Sequence, residues 1–258
     1  MKTNLRILKI GGNVIDDDLQ LRAFLKKFAS MPSPKILVHG GGKIATEFNK
    51  KLGNESILIE GRRVTSQAEL ETVVMTYAGL INKKIVGLLQ QYSCNSIGLS
   101  GADGNSVQAT KRSPKPIDYG YVGDIQTIHS SFIQLLLDNE ITPVFCAISH
   151  DGNGQLLNTN ADTIASELAI AMSPEYTTEL TYCFEKNGVL SNIEDENSVI
   201  ETITLSDYER LKTNNIIVSG MLPKIDNCFH ALSNKVAKVI IRNADLTTNQ
   251  PHTQLTLL

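Results

Sequence analysis

With 258 residues, 41% hydrophobic side chains and 20% charged ones, the chain has enough apolar surface to close a core in one large domain or two smaller ones, which argues against disorder. Its 24 Lys+Arg against 27 Asp+Glu leave a net charge of −3, without the basic excess that nucleic-acid phosphates demand. The four cysteines, Cys94, Cys146, Cys183 and Cys228, form no C-x-x-C pair or Cys/His cluster, so they read as small buried hydrophobes of a reducing compartment rather than zinc ligands.

The N-terminal stretch opens with two cations, as a signal peptide does, but Lys9 and the glycines after it cut the apolar run short. No uninterrupted apolar run approaches the ~20 residues of a membrane helix, and a soluble, cytoplasmic protein is expected. Arg6 to Ile10 reads as a strand running into Gly11-Gly12, and Lys35 to His39 as a second running into Gly40-Gly41-Gly42. Leu70, Val73, Val74, Tyr77, Leu80, Ile81, Ile85, Leu88 and Leu89 recur at three- and four-residue intervals and predict a long helix ending before Cys94. Its stripe reads first as core packing and second as a subunit interface. Gly101 to Ile128 is rich in Gly, Ser, Pro and Lys, with Tyr119 to Ile125 as a hairpin or loop over something else. Ile141 to Ile148 reads as one buried strand and Ala161 to Met172 as a helix, with a domain boundary at Ser173-Pro174. Strand, glycine turn and helix in alternation give an α/β fold.

Glycine turns after strands suggest phosphate binding, because helix N-terminal N–H groups can point at an anion and glycine lets it approach. The G-x-x-x-x-G-K-[ST] pattern of P-loop enzymes is absent. Gly40 to Ala45 does match G-x-G-x-x-A, with Glu60 twenty residues on, which is a dinucleotide-binding signature; it sits on the second strand and leaves Lys9 unexplained. Lys9 stands inside an apolar run, where a lysine either faces outward from a half-buried strand or meets an anion. Asp162 opens a helix and either favours its dipole or holds a cation. Lys224, after Gly220-Met221-Leu222-Pro223, could be an ordinary surface cation, and its coincidence with a glycine loop favours a functional role.

Taken together these segments resemble the acetylglutamate kinases of the amino-acid-kinase family along nearly the whole chain. The resemblance rests on K-I-G-G at Lys9, H-G-G-G at His39, G-R-R-V-T at Gly61 and S-G-A-D-G at Ser100. It continues in Y-V-G-D-I at Tyr121, N-x-N-A-D at Asn158 and G-M-L-P-K at Gly220. It implies a three-layer sandwich around a central, mainly parallel sheet, with residues 1–173 as an acylglutamate-binding and dimerisation lobe and residues 174–258 as an ATP-binding lobe. It also implies ATP-dependent phosphorylation of the side-chain carboxylate of N-acetyl-L-glutamate in arginine biosynthesis, yielding an acyl phosphate. Lys9 and Lys224 would flank the transferring phosphoryl group, and Asp162 would hold the two lysines. Gly41, Gly42, Arg63, Asn158 and Asn160 would bind the amino-acid substrate, Arg63 through its α-carboxylate. Gly11, Gly12, Glu185, Asn187, Gly188, Ile217 and Gly220 would meet the nucleotide. Mg2+ would be held mainly by ATP oxygens, with no protein metal site.

Three departures bear on that transfer. Phe184-Glu185-Lys186-Asn187-Gly188 stands where relatives carry Thr-Asp or Ser-Asp before the adenine turn, and His252-Thr253 replaces a terminal Gly-Thr. Arg62 stands where the family has leucine, beside the expected acyl methyl, so an anionic acyl tail and an N-succinyl-L-glutamate kinase is the alternative. Other readings are a different carboxylate or carbamate kinase of the same family, a nicotinamide-dependent dehydrogenase, and a non-catalytic nucleotide-binding regulator. Arginine-inhibited relatives carry an extra helix before the first strand; with Lys9 already in that strand, the expectation is a homodimer, the Leu70 to Leu89 helix at or near its interface, without feedback inhibition by arginine.

Overall fold

The structure is a computed structural model that describes residues 2–59, 61–214, 216–217, 221–247 and 250–258. Its N-terminal half begins with β1 (Asn4–Ile10), a short α1 (Gly12–Asp16), α2 (Asp18–Ser30), β2 (Lys35–His39) and α3 (Gly42–Lys51). Asp17 starts α2 by accepting the backbone N–H groups of Leu19 and Gln20, and Phe24 and Phe28 on its inner face stack at 6.1 Å between ring centroids. A small hairpin follows, β3 (Ile57–Ile59) with β4 (Arg62–Val64). Next comes one long helical rod, Gln67–Gln91, made of α4 (Gln67–Val74), a π turn (Met75–Ile81) and α5 (Asn82–Gln91).

The chain continues through β5 (Ser96–Leu99), β6 (Val107–Lys111), β7 (Gly123–Ile128), α6 (Ser130–Asp138), β8 (Thr142–Cys146), β9 (Ile148–His150) and β10 (Leu156–Asn158). It then forms α7 (Ala161–Met172), β11 (Thr177–Phe184), β12 (Thr202–Thr204), α8 (Leu205–Thr213), α9 (Leu222–Ser233), β13 (Lys238–Asn243) and β14 (Thr253–Thr256). Eight strands make the main sheet in the order β12-β14-β13-β11-β1-β2-β8-β5, and only the β13–β14 pair is antiparallel. A second, four-stranded sheet has the order β10-β9-β6-β7. One helix group joins α7 to α6 and α9, another joins α2 to α1 and α5, and both groups pack on the main sheet. The central strands are accordingly apolar on both faces: every residue of β2 is buried, and so are Leu5, Ile7, Leu8 and Ile10 of β1. All four cysteines are free and buried.

Two expectations change. The rod places Leu70, Val73, Tyr77, Ile81, Ile85, Leu88 and Leu89 in the core as the stripe predicts, but Leu80 is 49% exposed. The π turn widens the helical spacing there and rotates Leu80 outward while keeping Tyr77 and Ile81 inside. By length and mean hydropathy this rod passes as a membrane span, yet half of its apolar window is buried against the fold and Lys83 and Lys84 interrupt it. Finally, the Ile141 to Ile148 run is two strands, since the chain leaves the main sheet at Ala147 and Ile148 opens β9. Both pieces are buried, so an apolar run carries no mark of the switch.

The rod is tied to the sheet by a fully buried histidine. Asn82 of α5 donates from Nδ2 to Val144 O at 2.9 Å and to His39 Nε2 at 3.1 Å. His39 Nδ1, 2.8 Å from Gly40 O, must then carry the proton, because a carbonyl can only accept. Burial lowers the His39 pKa to about 4, with the Gly40 bond opposing, so the folded imidazole is neutral. An unfolded histidine protonates near pH 6.5, so between pH 6.5 and 4 the unfolded chain binds the extra proton and acid destabilises the fold. His39 accounts for a loss of order 1–3 kcal/mol on going from pH 7 to 4, read by denaturant unfolding. The loss is smaller in His39→Asn by that amount; an equal loss in both proteins refutes the assignment.

Candidate active site

All the glycine turns expected to hold phosphate fall at the carboxyl ends of parallel strands, on one edge of the main sheet. The path from β1 goes to β2 on one side, whereas β11 pairs with β1 on the other, and that reversal opens a crevice beside β1. The crevice holds a cleft of about 390 Å³ lined by Lys9, Gly11, Gly12, Gly40, Gly41, Gly42, Arg63, Asn158 and Asn160 among others. A second cleft of about 270 Å³ shares Gly11, Gly12 and Gly42 and extends to Phe184 and Glu185 at the end of β11.

Beside the first cleft stands an ion triad. Lys9 Nζ lies 2.7 Å from Asp162 Oδ1, and Lys224 Nζ lies 2.9 Å from Asp162 Oδ2. The three side chains are 11%, 16% and 13% exposed for Lys9, Asp162 and Lys224. Three separate elements deliver them: the end of β1, the first turn of α7 and the first turn of α9, where Pro223 fits a helix start. Burial alone would raise the Asp162 pKa, but the flanking ammonium groups of Lys9 and Lys224 outweigh it and hold the carboxyl well below the usual carboxylate range. For Lys9, burial lowers the pKa, the charge of Asp162 opposes this and that of Lys224 adds to it. Tyr182, fully buried on β11, braces the triad by donating its hydroxyl to Asp162 O at 3.0 Å, and its ring lies 5.0 Å from Lys224 Nζ. The outward-facing reading of Lys9 and the surface reading of Lys224 are thereby replaced by a shared anionic partner.

Gly41 caps α3 with φ +150°, and a Cβ there would stand 2.3 Å from Ile81 Cδ1 and 3.2 Å from the Tyr77 ring. The π turn of the rod is thus pressed directly on the glycine loop, and glycine is required for that approach. On the far side of the cleft the segment after β4 pairs with Tyr119 to Tyr121, with Thr65 N–H donating to Tyr119 O at 2.8 Å and Tyr121 N–H to Thr65 O at 2.7 Å. Gly120 between them has φ +72°, and a Cβ would meet Thr65 O at 2.2 Å. Tyr119 to Ile125 therefore covers the cleft wall as the loop expected there, continuing into the β6–β7 hairpin.

The predicted substrate residues converge, with their side chains already partly engaged. Asn160 Oδ1 accepts the N–H groups of Asp162 at 2.7 Å and Thr163 at 3.2 Å, so it caps the helix that carries Asp162. Asn158 Nδ2 donates to Thr65 Oγ1 at 3.0 Å. Arg63 spends its Nη1 hydrogens on Ser56 Oγ and the buried carboxylate of Glu69, and its Nη2 hydrogens on Gly42 O and Thr46 Oγ1. The fork foreseen for a free α-carboxylate is therefore filled by protein groups, and Nε alone is left. Glu185 faces the second cleft, but Asn187, Gly188 and Ile217 line neither cleft. Gly188 is tucked beneath Thr253, whose Oγ1 accepts the next N–H, and Ile217 is 5% exposed in the core. Gly220 and Glu60 lie outside the described residues. Sequence reasoning passed over Tyr77, hidden in the apolar stripe of the rod, and Arg112, which lines the cleft while paired to Asp124 at 2.5 Å.

Comparison with known proteins agrees with this arrangement. The amino acid kinase family model matches residues 4–243. The acetylglutamate kinase of Cytophaga hutchinsonii is 52% identical over 242 residues, 93% of this chain and 92% of that one. That of Bacteroides thetaiotaomicron is 41% identical over 99% of both chains. Among solved structures, smu.665 from Streptococcus mutans superposes with a TM-score of 0.83 at 26% identity, covering 98% of each chain. Glycine turns at the switch point of the sheet, a buried Lys–Asp–Lys triad and this near-complete match have one common source: the chain belongs to the amino acid kinase family.

Proposed function

We propose that the protein is an ATP-dependent N-acyl-L-glutamate kinase of arginine biosynthesis, acting on N-acetyl-L-glutamate as the relatives of that name do. The observation that carries this reading is the buried Lys9–Asp162–Lys224 triad between two glycine loops. A side-chain carboxylate attacking the γ-phosphate of ATP brings two anions together and has no proton to lose, so the site needs fixed positive charge and no base. Lys9 and Lys224 supply that charge and Asp162 holds them at a set separation. N–H groups around Gly11, Gly12 and Gly41 complete the cradle, and those of Gly41 and Gly42 also meet the acyl glutamate. Mg2+ enters as part of the nucleotide substrate, held by phosphate oxygens. The acyl glutamate takes the cleft of Arg63, Asn158 and Asn160, and the nucleotide extends past Gly11 and Gly12 toward Glu185. In this reading residues 1–173 form the acylglutamate and dimerisation lobe, residues 174–258 the ATP lobe, and the enzyme works as a cytoplasmic homodimer.

A second reading concerns the acyl group. Arg62 lines the cleft, as Leu58 and Arg112 do, and its guanidinium suits a carboxylate-ended acyl tail better than a methyl, Arg112 being already paired to Asp124. N-succinyl-L-glutamate is then the preferred substrate.

Lys9→Ala and Lys224→Ala each lower kcat by roughly 10²–10³ with a much smaller effect on ATP binding, measured by hydroxamate trapping of the acyl phosphate and by nucleotide titration. Near-normal turnover in either variant removes that lysine from the mechanism. The same assay run with N-acetyl-L-glutamate, N-succinyl-L-glutamate, aspartate and carbamate identifies the acceptor, and a trapped product with neither acylglutamate overturns the proposal. Where Arg62 reads the tail, kcat/KM favours the succinyl substrate about ten- to hundredfold and Arg62→Leu abolishes the preference; equal or better use of the acetyl substrate by the unmodified enzyme excludes the second reading.

A further inference from the structure

We propose that the Tyr77 hydroxyl donates a hydrogen bond directly to the α-carboxylate of the acyl glutamate, sharing that group with the N-terminus of α3 and the one uncommitted donor of Arg63. The inference rests on the acylglutamate-kinase reading and extends it to a residue outside the motifs that suggested it.

Three observations converge on this role. First, the guanidinium of Arg63 is not a free fork: its four Nη hydrogens are taken by Ser56, Glu69, Gly42 and Thr46, and the Glu69 carboxylate, 3% exposed, neutralises its charge at contact. Asn49 and Ser56 also donate to Glu69, so releasing the fork would strand a buried carboxylate. A substrate carboxylate at this end of the cleft therefore needs donors beyond Arg63. Second, the ten-residue helix α3 begins here, and Gly42 presents its N-terminal end to the cleft; a helix start of this kind favours an anion.

Third, Tyr77 is only 6% exposed and lines the same cleft. Its ring packs on Gly41, and its hydroxyl oxygen is 3.9 Å from where a Gly42 Cβ would be, next to Arg63 Nη2. Among the described residues no protein group is hydrogen-bonded to accept its proton. The side chain is more than nine-tenths buried, yet its hydroxyl opens on the cleft, so a ligand there can take the place of water as the acceptor of its proton. Burial raises the phenol pKa, with the charge of Arg63 and a hydrogen-bonding contribution from its guanidinium opposing, so the proton stays in place for donation. The π turn is what aims it: that turn holds Tyr77 and Ile81 against Gly41 while Leu80 rotates away.

Tyr77→Phe keeps the ring against Gly41 and removes only the hydroxyl, so the midpoint of thermal unfolding serves as the control for folding. The expected result is a KM for the acyl glutamate raised roughly ten- to hundredfold, with kcat and the KM for ATP unchanged. The penalty shrinks on the α-carboxamide analogue of the substrate, whose neutral oxygen accepts a weaker bond. An unchanged acylglutamate KM overturns the inference. So does a change carried by kcat or by the KM for ATP, or an equal penalty on the carboxamide. Should the unmodified protein form no acyl phosphate from either acylglutamate, the proposed function fails instead, and the two failures are distinct in the same assay.

Discussion

The structure turns on a carboxylate taken out of water between two ammonium groups. Asp162 is tolerable at 16% exposure only because Lys9 and Lys224 each meet one of its oxygens, and each lysine is tolerable only because Asp162 is there. That mutual dependence fixes three elements relative to one another: β1 at the centre of the sheet, α7 packed on it, and α9 beyond. The same arrangement holds two positive charges beside the glycine loops at a set distance, without any reorganisation when an anion arrives. Tyr182 and the Asn160 cap make the position of Asp162 sharper still, one through its backbone carbonyl and the other through its N–H.

A second constraint is steric. The rod Gln67–Gln91 touches the glycine loop so closely that Gly41 admits no Cβ, and the π turn occurs at that contact. Above it the polar set of Asn49, Ser56, Arg63, Glu69 and Thr72 joins α3, the β3–β4 hairpin and α4 through hydrogen bonds. Glu69 accepts from Asn49, Ser56 and Arg63 while Thr72 donates to Asn49, and a charged group buried at that point is stable only while its donors stay in register. One end of the cleft is therefore built from the rod and the hairpin, and the other from the sheet edge and α9. The His39–Asn82 link runs between these two halves, anchoring the rod at the very strand whose end forms the Gly40 to Gly42 turn.

Periodicity and glycine punctuation made much of this legible from the chain. β1, β2, the rod and α7 stand where apolar spacing placed them, because strands buried on both faces and helices buried on one must display those patterns. Lys9 announced itself because a cation in an apolar strand needs an anion. What the residues could not disclose is which anion, since Asp162 is 153 positions away in the chain and reaches Lys9 only once α7 has folded back on β1. Nor did an unbroken apolar run reveal that the chain changes sheets at Ala147, because both strands it contains are buried.

By itself, then, the sequence determined the α/β class, the glycine turns, the acid and the two lysines, and through its motifs the family. These are local properties: a residue's size, charge and spacing act on its neighbours before any fold exists. Only the tertiary structure decided how the polar side chains divide their hydrogen bonds. Arg63 is an ordinary guanidinium in the sequence, and becomes a nearly saturated donor because Ser56, Glu69, Gly42 and Thr46 come from three different segments that close around it. Tyr77 reads as one more apolar residue of a helical stripe, and its hydroxyl acquires a direction because the π turn rests on Gly41. Donor saturation and side-chain aim depend on groups distant in the chain, and a one-dimensional pattern carries no record of them.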